Sequence, residues 1–174
     1  MALHHADRIL KVNHAGEHGA VNIYRGQRLV CFWRDDELKR ELEEFRAHEE
    51  RHRAIFAAEL KRRGVRRCRS YALCGFGGFL LGISTGICGR ASIAAVTVAV
   101  ERVVLRHLEV QLRELDGVDA AAHAAVASIL EDERAHHARA AQEPRQGVFW
   151  PRILKPTVSA MTEFVIWTGM KLQR

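Results

Sequence analysis

Proline is scarce in this chain. Only three occur in 174 residues, at Pro144, Pro151 and Pro156, so no ring interrupts a helix before residue 144. The long proline-free stretches are rich in Ala, Leu, Arg and Glu, which favours helix. Sustained alternation of apolar and polar residues is missing, which argues against a sheet. None of the four cysteines, Cys31, Cys68, Cys74 and Cys88, forms a C-x-x-C pair, so a zinc ribbon or thioredoxin-type centre is not expected. Three of them lie in or beside apolar runs and read as small buried hydrophobes, reduced, in a cytosol-facing compartment. The start, MALHHADRILKV, lacks the apolar core of a secretory signal and is short for a transit peptide, which suits a mature or bacterial chain. No G-x-S-x-G, P-loop or dinucleotide pattern is found. The G-x-G-G at Gly75, Gly77 and Gly78 has no strand before it, so phosphate binding is not expected.

Apolar residues make up 48% of the chain, enough for one domain, 1–174, with a real core. The formal net charge is +6, which suits an anionic partner such as nucleic acid or a membrane face. Much of the positive charge sits in residues 61–69 (KRRGVRRCR), directly before an apolar stretch. That placement favours lipid over nucleic acid.

The spacing predicts a first helix over 6–34, with Asp7 able to cap it, and a second from Asp35-Asp36 to about Arg63, stopped by Gly64. Leu38, Leu42, Phe45, Ile55 and Leu60 mark the inward face of the second. Residues 70–89 then pass without one charge and hold six glycines. The length approaches a bilayer span, but each glycine costs about 1 kcal/mol in a helix. A hairpin lying on or shallowly in a membrane is the favoured reading, with burial against the bundle and a true span as alternatives. A third helix is expected over 91–115 and a fourth over 120–142, capped by Asp119 and ended by Pro144. The C-terminal segment 148–172, with Trp150, Trp167 and flanking basic residues, suits either a membrane interface or a packed helix.

Two motifs carry the chemistry. Glu49-x-x-His52 and Glu133-x-x-His136 each follow another glutamate, Glu17 or Glu101, by 32 residues, and the two sets are offset by 84. Residues three apart share a helix face, so each pair can aim at one point. Four carboxylates and two imidazoles in this order are the ligand set of a ferritin-like di-iron bundle, and the mixture suits iron or manganese better than structural zinc. Glu101 is the sharpest clue. It follows the uncharged run IAAVTVAV, and a carboxylate there is costly to bury unless paired or metal-bound. Other groups read as weaker candidates. Glu50 and His137 would serve only in a shifted register, and Glu44 and His48, four apart, read as a surface pair. Glu109 is expected at the surface. His14, His107 and Asp132 are candidates to orient ligands from behind.

The segments RILKVNHAGEHGAVNIYRGQ (8–27), HEERH (48–52), TVAVE (97–101) and EDERAHH (131–137) resemble the demethoxyubiquinone hydroxylases of ubiquinone biosynthesis, over nearly the whole chain. The resemblance implies an all-α, ferritin-like four-helix bundle with added apolar, membrane-associating segments. It implies two iron ions per chain, cycling between Fe(II) and Fe(III) and held by Glu17, Glu49, His52, Glu101, Glu133 and His136. It further implies dioxygen as co-substrate and an external electron donor such as NADH. The implied substrate is a polyprenylated demethoxyquinone, and nucleic acid is not an expected partner. Expected partners are other ubiquinone-biosynthesis proteins and a second copy of the chain. The expected location is peripheral, on the cytoplasmic face of a bacterial inner membrane or the matrix face of the mitochondrial one. His107 matches a family histidine near the site. Asn13, His18 and Leu108 depart from the family's usual Asp, Tyr and Tyr, and the loss of the tyrosine at 108 puts details of quinone contact and electron delivery in doubt. Rival readings are an iron- or peroxide-handling ferritin relative, a tRNA hydroxylase on a related bundle, and a lipid- or quinone-binding scaffold.

Overall fold

The computed structural model describes residues 4–31, 36–142 and 149–171. Among these the chain is all-α, with no strand. The helices are α1 (His5–Val30), α2 (Asp36–Arg62), α3 (Tyr71–Cys88), α4 (Arg90–Leu115), α5 (Ala120–Ala127), α6 (Leu130–Ala141) and α7 (Phe149–Lys171). Each bundle helix has an inward stripe at three- and four-residue spacing. In α2 it runs Leu38, Leu42, Phe45, Glu49, His52, Phe56, Leu60. Two polar residues thus take core positions in an otherwise apolar row.

Two apolar clusters set the directions of the helices. At one end Ile9 and Leu10 pack with Phe56, Leu60, Leu108, Leu115 and Ile129. At the other Tyr24 and Cys31 pack with Leu38, Leu42, Phe45 and Ile93. Hence α1 runs against α2 and α4, while α5–α6 runs with α1. Two successive bundle helices that point the same way need a long crossover, and α3 is that crossover.

The hairpin favoured for residues 70–89 is not formed. α3 is one continuous helix lying parallel to α1, and the reason lies in its glycines. Gly75, Gly78, Gly82 and Gly86 all face α1, and an added Cβ would meet His18, Gly19, Ile23 or Gln27 in turn. Close backbone packing offsets the helix cost of those glycines. Gly89, at φ 98°, then makes the sharp turn into α4. The opposite face of α3 leaves Leu73, Phe76, Leu80 and Ile87 exposed. By length and composition α3 alone among the described helices could cross a membrane.

Other expectations shift in detail. Asp7 does not cap α1, whose N-cap is His4; its carboxylate instead accepts from Arg63 at 3.2 Å. Gly64 does stop α2, with Gly64 N–H on Lys61 O and Val65 N–H on Leu60 O. Asp119 does cap α5, accepting from the Ala122 N–H at 3.0 Å. The helix expected over 120–142 is broken at Ser128 and Ile129. The Ser128 hydroxyl donates to the Ala125 carbonyl at 2.8 Å, a local bond that bends helices. The break comes one turn before Glu133. Arg34, Asp35 and Pro144, and the side chains of Phe149, Trp150 and Pro151, lie outside what is described. α7 packs Val158 and Leu154 against Val96, Ala99 and Val100 of α4. Its far side exposes Ile153, Met161, Phe164, Val165 and Trp167, so both readings of the C-terminal segment find a face.

Candidate metal centre

Glu17, Glu49, His52, Glu101, Glu133 and His136 converge between the two apolar clusters, each between 1 and 6% exposed. They form two overlapping groups. Glu17, Glu49, His52 and Glu133 each bring a donor atom within 4.8 Å of the others, and so do Glu49, Glu101, Glu133 and His136. Glu49 and Glu133 belong to both groups. Glu17 with His52 flanks one side, and Glu101 with His136 the other. His52 Nδ1 lies 2.9 Å from Glu133 Oε1, and His136 Nδ1 lies 3.2 Å from Glu49 Oε1.

Four inward atoms, Glu49 Oε1, His52 Nδ1, Glu133 Oε1 and His136 Nδ1, are buried without a well-formed hydrogen bond. Buried polar atoms without partners are rare and costly. Carboxylate and imidazole donors aimed at one point are what a divalent cation needs, so the residues present fit a metal. The electrostatics agree. Burial, reinforced by Glu49 and Glu133, raises the Glu17 carboxyl well above its ordinary range. Burial and Glu133 do the same to Glu101. Burial opposes a charge on His52, yet Glu133 and Glu49 push it up to about 10. Burial opposes ionisation of Glu49 too, but the neighbouring rings of His136 and His52 hold it below the usual carboxylate range. The pocket keeps protons where cations would neutralise the same charge, so binding metal would release them.

The family model described as "Ubiquinone biosynthesis protein COQ7" matches residues 4–169. The chain belongs to the COQ7 family. It is 37% identical over 116 residues to "NADPH-dependent 3-demethoxyubiquinone 3-hydroxylase, mitochondrial" of Dictyostelium discoideum, a match covering 65% of this chain and 52% of that protein. It is 30% identical to "3-demethoxyubiquinol 3-hydroxylase" of Bordetella avium, covering 97% of this chain and 76% of the relative. The protein of the same name from Rhodospirillum rubrum is also 30% identical, with coverage of 95% and 78%. The chain therefore spans about half the length of the first relative and three quarters of the other two.

Around this candidate centre the secondary candidates sort clearly. Asp132 does reach a motif histidine from behind, accepting from His52 Nε2 at 3.0 Å. His107 does not reach the site: it pairs with Glu163 of α7 at 2.8 Å, beside an Arg106–Glu163 ion pair. The expected Glu44–His48 pair is not formed. His48 Nδ1 sits 3.1 Å from His136 Nε2, and Glu44 accepts from Arg139 at 2.9 Å. Each takes a partner on α6 instead. Glu50 is exposed, as is Glu109, 3.6 Å from Arg134. His14 is buried, its ring stacked on Tyr71 at 4.8 Å.

The three positions that depart from the family pattern are occupied in packing, ring stacking and hydrogen bonding. Leu108 joins the apolar end cluster, His18 stacks on Tyr71 at 4.0 Å, and Asn13 exchanges two hydrogen bonds with Gln111. Sequence reasoning missed Tyr24. Its buried hydroxyl donates to Glu101 Oε1 at 3.4 Å, and burial with Glu101 raises its pKa. The signal was available, since Tyr24 stands two turns after Glu17 on the same face.

Proposed function

We propose that this chain is a di-iron monooxygenase that hydroxylates the ring of a polyprenylated demethoxyubiquinol, a step in ubiquinone biosynthesis. The observation that carries this reading is the pair of overlapping buried donor groups sharing Glu49 and Glu133. Shared carboxylates suit two ions a few ångströms apart. Glu17 and His52 would serve one iron, and Glu101 and His136 the other. When bound, the irons supply the oxygen-activating redox chemistry. The protein's own residues hold the geometry. Asp132 and His48 fix the rings of His52 and His136 from behind. Tyr24 holds Glu101, and the two apolar clusters exclude water from above and below.

One oxygen atom of dioxygen enters the ring and the other leaves as water, which consumes two electrons from an external donor. A reduced pyridine nucleotide is our choice of donor, in line with the name of the Dictyostelium relative. The isoprenoid tail needs an apolar route, and the exposed residues of α3 and α7 support contact with a membrane there. We place the protein peripherally on the inner membrane, with other enzymes of the pathway as neighbours. The deciding experiment is the quinone profile of cells lacking the protein. Accumulation of the demethoxy intermediate, reversed by the intact chain and not by Glu101→Ala, is the expected result. A normal profile would remove the assignment.

A further inference from the structure

The residue preceding each motif glutamate reaches across the bundle to the other motif's histidine. Asp132, before Glu133, accepts from His52 Nε2 at 3.0 Å. His48, before Glu49, meets His136 Nε2 at 3.1 Å. The crossing is the same and the chemistry is not. Both rings turn Nδ1 into the pocket. A ring that gives Nδ1 to a metal carries its proton on Nε2. His52 then donates that proton to an anion, whereas His136 donates it to a neutral imidazole whose own proton must sit on Nε2.

A carboxylate behind an imidazole makes the ring a stronger donor, and such partners shift metal affinity by about 10- to 100-fold. It also adds a negative charge near one ion and not the other. Arg51, 3.6 Å from Asp132 but more than half exposed, offsets this only weakly. His136 gains no matching charge: Phe45 packs against its ring at 4.4 Å and His48 at 5.1 Å.

Resting on the di-iron reading above, we propose that the two metal positions are unequal and fill in order. The position flanked by Glu17 and His52 fills first, and the one flanked by Glu101 and His136 second. Asp132 and His48 are the positioning residues that set the difference.

The test is anaerobic stepwise addition of Fe(II), or of Co(II) as a spectroscopic probe, to the metal-free full chain. Circular dichroism of the metal bands follows each step. Two events are expected, at least about 10-fold apart in affinity. Asp132→Asn should weaken the first event about 10-fold and leave the second in place. His48→Asp should tighten the second about 10-fold, a gain that misfolding cannot imitate. Two indistinguishable events in the wild type would overturn the ordering and leave the di-iron reading standing. So would Asp132→Asn acting on the second event, or His48→Asp leaving the second unchanged. Fewer than two ions per chain in the wild type would overturn the di-iron reading itself.

Discussion

Adding one methyl group to α3 should have opposite effects on its two faces. Gly77 points to solvent, and nothing lies within 4 Å of an added Cβ there. Gly77→Ala should therefore stabilise the fold by about 0.5–1 kcal/mol through helix propensity alone. Gly82 faces α1. Its added Cβ would stand 2.9 Å from the carbonyl carbon of Ile23 and closer still to the oxygen. Carbon atoms rest at about 3.5–4.0 Å, so the two backbones must part by roughly 0.6–1.1 Å. No flexible side chain can give way, because the obstacle is main chain. Overpacking of this kind costs about 1–3 kcal/mol, and separating the helices along their length puts the cost at the upper end. After the propensity gain is set against it, Gly82→Ala should destabilise by about 2 kcal/mol. At roughly 2–4 °C per kcal/mol for a chain of this size, that is a fall of about 4–8 °C in Tm, against a small rise for Gly77→Ala. Thermal unfolding followed by far-ultraviolet circular dichroism reads both. Equal shifts in the same direction would refute the glycine-face account of why residues 71–88 form a helix.

Three further outcomes are expected. Glu101→Ala should lose one of two irons per chain and all hydroxylation, whereas Glu49→Ala, which removes a shared carboxylate, should lose both irons; metal content by mass spectrometry distinguishes them. Arg63 binds Asp119 through two bonds of 2.7 and 2.8 Å and holds its carboxyl down to about 2. The ordinary unfolded value is about 3.9, so this stabilisation is complete above that pH and is lost as pH falls toward 2. Arg63→Met should cost about 2 kcal/mol at neutral pH and flatten the acid limb of the stability profile measured by urea unfolding. Finally, Phe76→Glu with Leu80→Glu should reduce flotation with liposomes several-fold. Undiminished flotation would shift the membrane contact to Phe164 and Trp167 on α7.

How much could be read beforehand depended on whether a residue's neighbours lay on its own helix. Glu101 was legible because the uncharged run around it made a lone carboxylate expensive. The E-x-x-H pairs were legible because i, i+3 spacing is a property of one helix. His48 was not, since pairing it with Glu44 uses the same local rule, and only the approach of α6 turns it to His136. His107 failed in the opposite direction: its resemblance to a family residue said nothing of Glu163, which α7 brings alongside. For residues 70–89, glycine content argued against a helix because propensity counts the cost within one strand of chain. The compensating contact lies on α1, almost sixty residues earlier.

The offset of 84 residues divides the donors into two sets of three, one before α3 and one after it. Neither pocket is completed by its own set: the first borrows Glu133 from the later half, and the second borrows Glu49 from the earlier. Exchanged carboxylates make the centre a rivet rather than two independent sockets. A chain severed between α3 and α4 would leave each fragment one donor short, so under the proposed metal reading an added cation should drive reassembly of the fragments.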